Sequence, residues 1–328
     1  MNKKERVDAA LRGDAVDRVP VSLWGHDFER EWSPQLLTEA MVENFTRYDW
    51  DFMKVNPRAC YYAEGWGAKY RPSGKKYQAP ICERSPIRGA SDWKRLRPLE
   101  PDHGALGEQL RALQLLNHAV GYDAYFVQTV FCPLGVAKYL VGDANGPVQQ
   151  TIKEDRAAMH AGLRAITETL IAYAIACLEH GASGIFYATN GWACNGVLTE
   201  DQYREFGEQY DLEILDAIKS RSKFNILHNC GSQIYFDLLA SYPVQVLSWA
   251  ATLEGNPDLG EGKKRSGKAV MGGINERILK NGSPDQVQEE VIKARDLTGN
   301  QHFLLAPGCS IAPETPAKNL EAIRRVLS

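Results

Sequence analysis

Short apolar runs rich in β-branched and aromatic residues alternate along this chain with longer amphipathic stretches, the pattern of a parallel sheet whose strands are joined by helices. The runs lie at residues 18–24, 51–55, 124–131, 184–188, 224–228, 244–249, 269–273 and 302–306. Most are followed by helical periodicity, as at 199–222, 284–298 and 313–327. Two of these helices open on capping signals, Thr199-Glu200-Asp201 and Ser283-Pro284-Asp285, where a hydroxyl takes up an orphan backbone N–H. Eight strand-then-helix units predict an α/β fold closed as a (β/α)8 TIM barrel rather than an open doubly wound sheet. No G-x-G-x-x-G follows any of the runs, which removes the main sequence signal for dinucleotide binding.

Two stretches depart from this rhythm. Residues 56–103 crowd together Tyr61, Tyr62, Trp66, Tyr70, Pro72, Gly74, Pro80 and Pro86, and predict an inserted excursion of short strands and loops after the second strand, ahead of a helix at 104–120. Residues 146–181 form one long helical pattern, in one piece or two. With no low-complexity linker and no solenoid repeat, one domain spanning 1–328 is expected.

Composition narrows the function classes. At 44% hydrophobic and 24% charged, the 328 residues can bury a sizeable core. A formal charge of -3 leaves no cationic excess to neutralise phosphates, so nucleic acid is not an expected partner. The opening MNKKERVDAALRGD has no apolar h-region. On the sequence pattern, no apolar run is expected to reach the roughly 20 residues that span a bilayer. A cytoplasmic monomer or homodimer is expected. The seven cysteines are odd in number and scattered through a large chain, which argues against a disulfide framework.

The strongest local signal is Ile226-Leu227-His228-Asn229-Cys230-Gly231. Two positions apart on an extended segment, His228 and Cys230 point to one side. They also fall at the C-terminal end of a strand, where barrel enzymes carry their catalytic groups. Imidazole nitrogen and thiolate sulfur suit zinc, and Gly231 lets the chain turn away. Cys309, in Pro307-Gly308-Cys309-Ser310, lies just past the last strand and is the candidate third ligand. Three protein ligands with an open fourth position is the catalytic zinc pattern. The pattern alone is equally compatible with a satisfied barrel histidine and two inert thiols.

Several segments taken in order resemble one family. Lys4-Glu5-Arg6-Val7 with Leu11-Arg12-Gly13-Asp14 and Asp17-Arg18-Val19-Pro20-Val21 opens the match. It continues through Pro133-Leu134 with Lys138-Tyr139-Leu140-Val141-Gly142, His228-x-Cys230-Gly231, Met271-Gly272-Gly273-Ile274, Pro307-Gly308-Cys309 and Thr315-Pro316-Ala317-Lys318-Asn319-Leu320. Together these resemble the uroporphyrinogen decarboxylase superfamily. The resemblance implies one of two chemistries: cofactor-free decarboxylation of uroporphyrinogen, or methyl transfer from a corrinoid protein to a thiol such as coenzyme M at a H-x-C…C zinc site.

Local residues favour the second branch. Where the decarboxylases carry paired arginines, Gly25-His26-Asp27-Phe28-Glu29-Arg30-Glu31 offers one arginine among three acids. Their aspartate after the second strand, serine after the fourth and histidine after the last are replaced by Asn56, Ala188 and Cys309; Tyr139 is kept. The resemblance therefore implies zinc held by His228, Cys230 and Cys309, a methylcorrinoid donor carried by a partner protein, and a small thiol or related acceptor. Trp249-Ala250 stands where relatives of both branches carry an acid. His26, Tyr139, Tyr187, Asn190, Trp192 and Trp249 are the candidate substrate-binding residues, with rim packing an equal reading for the two tryptophans. Cys132 and Cys194 are weak candidates for a fourth ligand. The loops after the strands show few cations, so the cavity is expected to be neutral to acidic and aromatic. A metal-free lyase using Tyr139 and His26, or a corrinoid- or tetrapyrrole-binding barrel, are the alternative functions.

Overall fold

The computed structural model describes residues 1–327. In chain order the strands are β1 (Phe52–Val55), β2 (Lys69–Arg71), β3 (Ile81–Arg84), β4 (Tyr125–Phe131), β5 (Gly184–Ala188), β6 (Ile226–Asn229), β7 (Val246–Trp249), β8 (Ala269–Ile274) and β9 (Phe303–Pro307). Seven of them form one curled parallel sheet in the order β1-β4-β5-β6-β7-β8-β9, and β2 and β3 pair antiparallel as a separate ribbon. Parallel neighbours require crossovers, and these are helices such as Gly104–Val120, Arg156–Glu179 and Pro284–Thr298.

Residues 18–24, expected to be the first strand, form no ladder. Val21 bridges Leu305 and Gly25 bridges Ile311 as isolated contacts. Leu305 N–H donates to the Pro20 carbonyl at 2.9 Å, and Asp51 N–H donates to the Val21 carbonyl at 2.8 Å, so this segment lies between the two edges of the sheet. The ladder fails for a chemical reason. Pro20 has no N–H to give, and Val21 N–H donates to the Asp51 carboxylate, 2.9 Å away, instead of to a strand.

Of two helical readings, the first takes its two-piece form and the second differs. The pattern at 146–181 breaks at Asp155, whose carboxylate accepts the Ala158 N–H at 2.9 Å and starts a new helix. The pattern at 199–222 holds two α-helices, Glu200–Tyr203 and Gln209–Ile218, around a π-helical turn at Arg204–Glu208. Helix Arg156–Glu179 is long and apolar enough to cross a membrane, against the sequence expectation, but most of it is buried inside the fold.

Alternation along the strands separates two apolar layers. Phe52, Val127, Phe186, Ala188, Ile226, Val246, Met271, Leu304 and Ala306 fill the inside of the curl. Met53, Val55, Tyr187, Leu227, Leu247, Trp249 and Val270 pack outward in the layer that includes the surrounding helices. Val7 of the N-terminal helix Lys3–Arg12 joins the inner cluster. Burying side chains of this size removes roughly 1.5–3 kcal/mol of exposure cost each, which makes the inward or outward choice at every strand position strongly determined.

Candidate metal centre and its cavity

His228 lies on β6, whose register sets Ala188, His228 and Ser248 side by side across β5, β6 and β7. Neighbours in register face the same way, so His228 shares the inside of the curl with Ala188. Its Nδ1 lies 3.1 Å from Ser248 Oγ, which leaves Nε2 for another partner. Phe186 stacks on the ring at a centroid distance of 5.1 Å. Cys230 follows with the same parity, and Gly231 takes a φ of +99°, a turn that any side chain would strain. Cys309 arrives from beyond β9 over Gly308. A methyl group at Gly308 would lie 2.9 Å from both the Ala250 Cα and a Glu276 carboxylate oxygen, so glycine is what lets this loop close in.

The result is that His228, Cys230 and Cys309 each offer one ligand atom, all within 4.8 Å of one another. No other such group of three His, Cys, Asp or Glu side chains occurs among the described residues. One imidazole nitrogen and two sulfurs at this spacing are the donor set zinc takes in three-ligand sites, so the residues fit the ion. Hydrogen bonds from Cys230 and then from His228 hold the Cys309 thiol far below its ordinary range, while Cys230 is pushed up by the same contact and by burial. A thiol shifted in that direction is suited to bind a metal as the thiolate. Cys194 and Cys132 stay outside the group. Cys194 Sγ donates to the Gly191 carbonyl at 2.9 Å, and Cys132 Sγ accepts the Gly135 N–H at 3.2 Å as a helix cap.

The cluster opens into a cavity of about 180 Å³. His26, Tyr139 and Asn190, three of the candidate positions, line it. His26 is oriented by Glu31, whose carboxylate accepts its Nδ1–H at 2.7 Å. Asn190 holds a φ of +55° and leaves its Oδ1 buried without a partner. Trp24, Tyr61, Tyr62, Phe131 and Phe186 complete an aromatic wall.

Three candidate positions do not reach the cavity. Tyr187 is one residue out of phase with Phe186, so it points outward, fully buried, and donates to Asp211 Oδ1 at 2.7 Å. Trp249 pairs with Asn229, also outward, and its Nε1–H donates to the Pro257 carbonyl at 2.9 Å. Trp192 is fully buried in the outer layer. All three are packing residues, and strand parity explains the first two.

Two residues of the site went unrecognised in the sequence. Lys54, buried on β1, lines the cavity together with Asn56, two positions on. Its Nζ donates to Asn56 Oδ1 and lies 4.8 Å from the Phe186 ring centroid and 5.5 Å from that of Trp24. Burial pushes its ammonium down to about 7, against smaller favourable effects of Cys309 and Glu31. The cavity thus holds one cation where few were expected, and Asp27, Glu29 and Glu31, on which an acidic lining was expected, do not line it. A lysine inside an otherwise apolar strand was the available signal. Glu276, just past β8, has a buried Oε1 with no partner, and burial followed by the nearby Cys309 raises its carboxyl.

A curled parallel sheet with a three-donor centre and a small aromatic cavity at the C-terminal ends of its strands defines an enzyme of barrel-like α/β type. The chain belongs to the uroporphyrinogen decarboxylase (URO-D) family, whose model matches residues 2–327. Among its relatives is the methylcobamide:CoM methyltransferase MtbA of Methanosarcina acetivorans, 25% identical over 97% of this chain and 95% of that protein. Another is the uroporphyrinogen decarboxylase of a Synechococcus species, 24% identical over 96% of this chain and 94% of that protein. A solved methyltransferase from Methanosarcina mazei shares the fold with a TM-score of 0.85, 23% identity, and coverage of 99% of this chain and 98% of its own.

Proposed function

We propose that this protein transfers a methyl group from a methylated corrinoid protein to a small thiol, with zinc held by His228, Cys230 and Cys309. The observation that carries this reading is the convergence of one nitrogen and two sulfur donors within 4.8 Å at the edge of the cavity. Zinc bound there would act as a Lewis acid that lowers the pKa of an acceptor thiol. The chain's own residues do the rest. Ser248 fixes the imidazole so that its second nitrogen faces the cysteines, and Phe186 holds the ring flat. The aromatic wall excludes water and confines the acceptor, which converts an encounter into an oriented approach.

The donor set supports transfer over decarboxylation, and the cavity of about 180 Å³ beside it takes a small acceptor. One buried lysine also falls short of what a substrate bearing many carboxylates needs, since each unpaired buried charge costs several kcal/mol. A corrinoid carried by a partner need only present one face at the mouth. The same reading takes residues 20–25 as the eighth stave of a (β/α)8 barrel and places the enzyme in the cytoplasm.

Metal analysis of tag-free protein should find about one zinc per chain, with absorption fine structure giving one nitrogen at about 2.0–2.1 Å and two sulfurs at about 2.3 Å. Zinc-dependent demethylation of methylcobalamin by a small thiol should follow, with no carbon dioxide released from uroporphyrinogen. Decarboxylation by metal-free protein would overturn the assignment.

A further inference from the structure

We infer that the β2–β3 ribbon is the docking surface for the protein that carries the methyl donor, and that this partner meets it with an acidic face. The inference rests on the reading of the metal centre as a methyl-transfer site. Residues 69–88 hold Lys69, Arg71, Lys75, Lys76, Arg84 and Arg88 against the single acid Glu83, a net charge of +5 in a chain whose formal charge is -3. Glu83 is taken up by Arg71 at 2.8 Å; the other five cations are exposed and make no ion pair among the described residues. Register sorts the two faces of the ribbon. Tyr70 stands opposite Cys82 and turns toward the fold, where its hydroxyl donates to the Tyr139 carbonyl at 2.7 Å and Cys82 lies beside Gly142. Lys69 stands opposite Arg84, both exposed. Like charges directly opposite on a sheet are destabilising, and no acid among the described residues is paired with either. Tyr77 and Ile81, 50% and 36% exposed, add apolar contact area beside them.

The ribbon borders the mouth of the metal cavity. Tyr139, against which Tyr70 rests, lines that cavity. At the ribbon's tip, Lys76 shares the wall of a second cavity with His26, Asp27 and Arg30, and His26 lines both cavities. A corrinoid held by a partner must come to this mouth to reach His228, Cys230 and Cys309, which brings the partner's surface round its cofactor against the ribbon. Guarding free strand edges against aggregation is the other use of such charges, but charge of either sign serves that purpose. Five unpaired cations and no unpaired acid select a sign. Charge of one sign on the rim steers a complementary partner and raises encounter rates by about 10–1,000-fold. Nucleic acid is the less favoured anion, because one short ribbon on a chain negative overall neutralises few phosphates.

Turnover of zinc-loaded, full-length protein with 2-mercaptoethanol tests this with three donors: methylcobalamin, methylcobalamin linked through its ribose to a short oligoglutamate, and the oligolysine counterpart. At low salt the wild-type KM for the oligoglutamate donor should lie about tenfold below that for free methylcobalamin, with kcat unchanged. The two should reach parity by about 1 M salt, where the Debye length is about 3 Å. The oligolysine donor should show no advantage. Lys69→Glu combined with Lys75→Glu should abolish the advantage and leave turnover of free methylcobalamin unchanged. Lys69→Glu sets an acid opposite Arg84 and should hold the ribbon at least as firmly, so the loss is no folding defect. Equal KM for all three donors, or an advantage that survives the charge reversal, overturns the inference. So does a single-stranded oligonucleotide that binds more tightly than oligoglutamate of equal charge, read by fluorescence anisotropy. Ribbon-dependent binding of oligoglutamate in that assay, with no demethylation of any donor, would instead sink the methyl-transfer reading and leave the ribbon standing as a surface for an acidic partner.

Discussion

Replacing Lys54 by methionine should stabilise the fold near neutral pH, and the gain should shrink as pH rises. The folded chain holds this ammonium at about 7 against an ordinary 10.5. Three and a half pH units at about 1.36 kcal/mol each set a ceiling of roughly 5 kcal/mol on the cost of keeping it buried, and about 4 of that applies at pH 7. Methionine is close in volume and carries no charge to desolvate. It loses the contacts with the Phe186 and Trp24 rings and leaves Asn56 Oδ1 unpaired, together worth about 2–3 kcal/mol. The net expectation at pH 7 is a stabilisation of about 1–2 kcal/mol.

The pH dependence separates this from any packing effect. Between about 7 and 10.5 the unfolded chain keeps the Lys54 proton and the folded chain does not, so wild-type stability rises with pH across that window. About 2 kcal/mol should be regained between pH 7 and 9, enough to cancel or reverse the advantage of the variant. His26, His228, Cys230, Cys309, Tyr61, Tyr62 and Tyr139 on the cavity wall, with Glu31 nearby, are the other titratable groups and are common to both proteins. Urea unfolding at pH 7 and pH 9, with chelator present so that metal linkage does not enter, gives the difference directly from the midpoints if the slopes agree. A variant less stable than wild type at pH 7, or a difference unchanged at pH 9, would refute the reasoning.

Cys309→Ala should remove zinc and methyl transfer together while leaving the circular dichroism of the fold unchanged; a variant that retains one zinc and full activity would show that Cys309 is not a ligand. Ser248→Ala should weaken zinc affinity by about 10–100-fold, measured by chelator competition, because the His228 ring loses the partner that orients it. Tyr187→Phe should leave zinc content and KM untouched and destabilise the fold by about 1–3 kcal/mol, because buried Asp211 loses one of its three tyrosine donors. A change in KM with no change in stability would place Tyr187 at the cavity after all.

Much of this protein is decided by local pattern. Short continuous apolar runs and the helical stretches between them are enough to call for a parallel sheet, because each run must be buried on both faces and each return must be helical. Likewise His228 and Cys230, two apart on an extended segment, have to share a side whatever surrounds them. Tertiary structure decided what those patterns leave free. Whether residues 20–25 pair as a strand depended on Pro20 lacking a donor and on the Asp51 carboxylate, 30 residues on, capturing the Val21 N–H. Which of Phe186 and Tyr187 faces the cavity was settled by register with β6, since burial on both sides erases the polar–apolar contrast that would mark the inward face. Trp249 was turned outward by the same constraint. The convergence of Cys309 on His228, and the meeting of Lys54 with the cavity, arise only when β9 and β1 come round the curl, a closure over long sequence separations that no local spacing encodes.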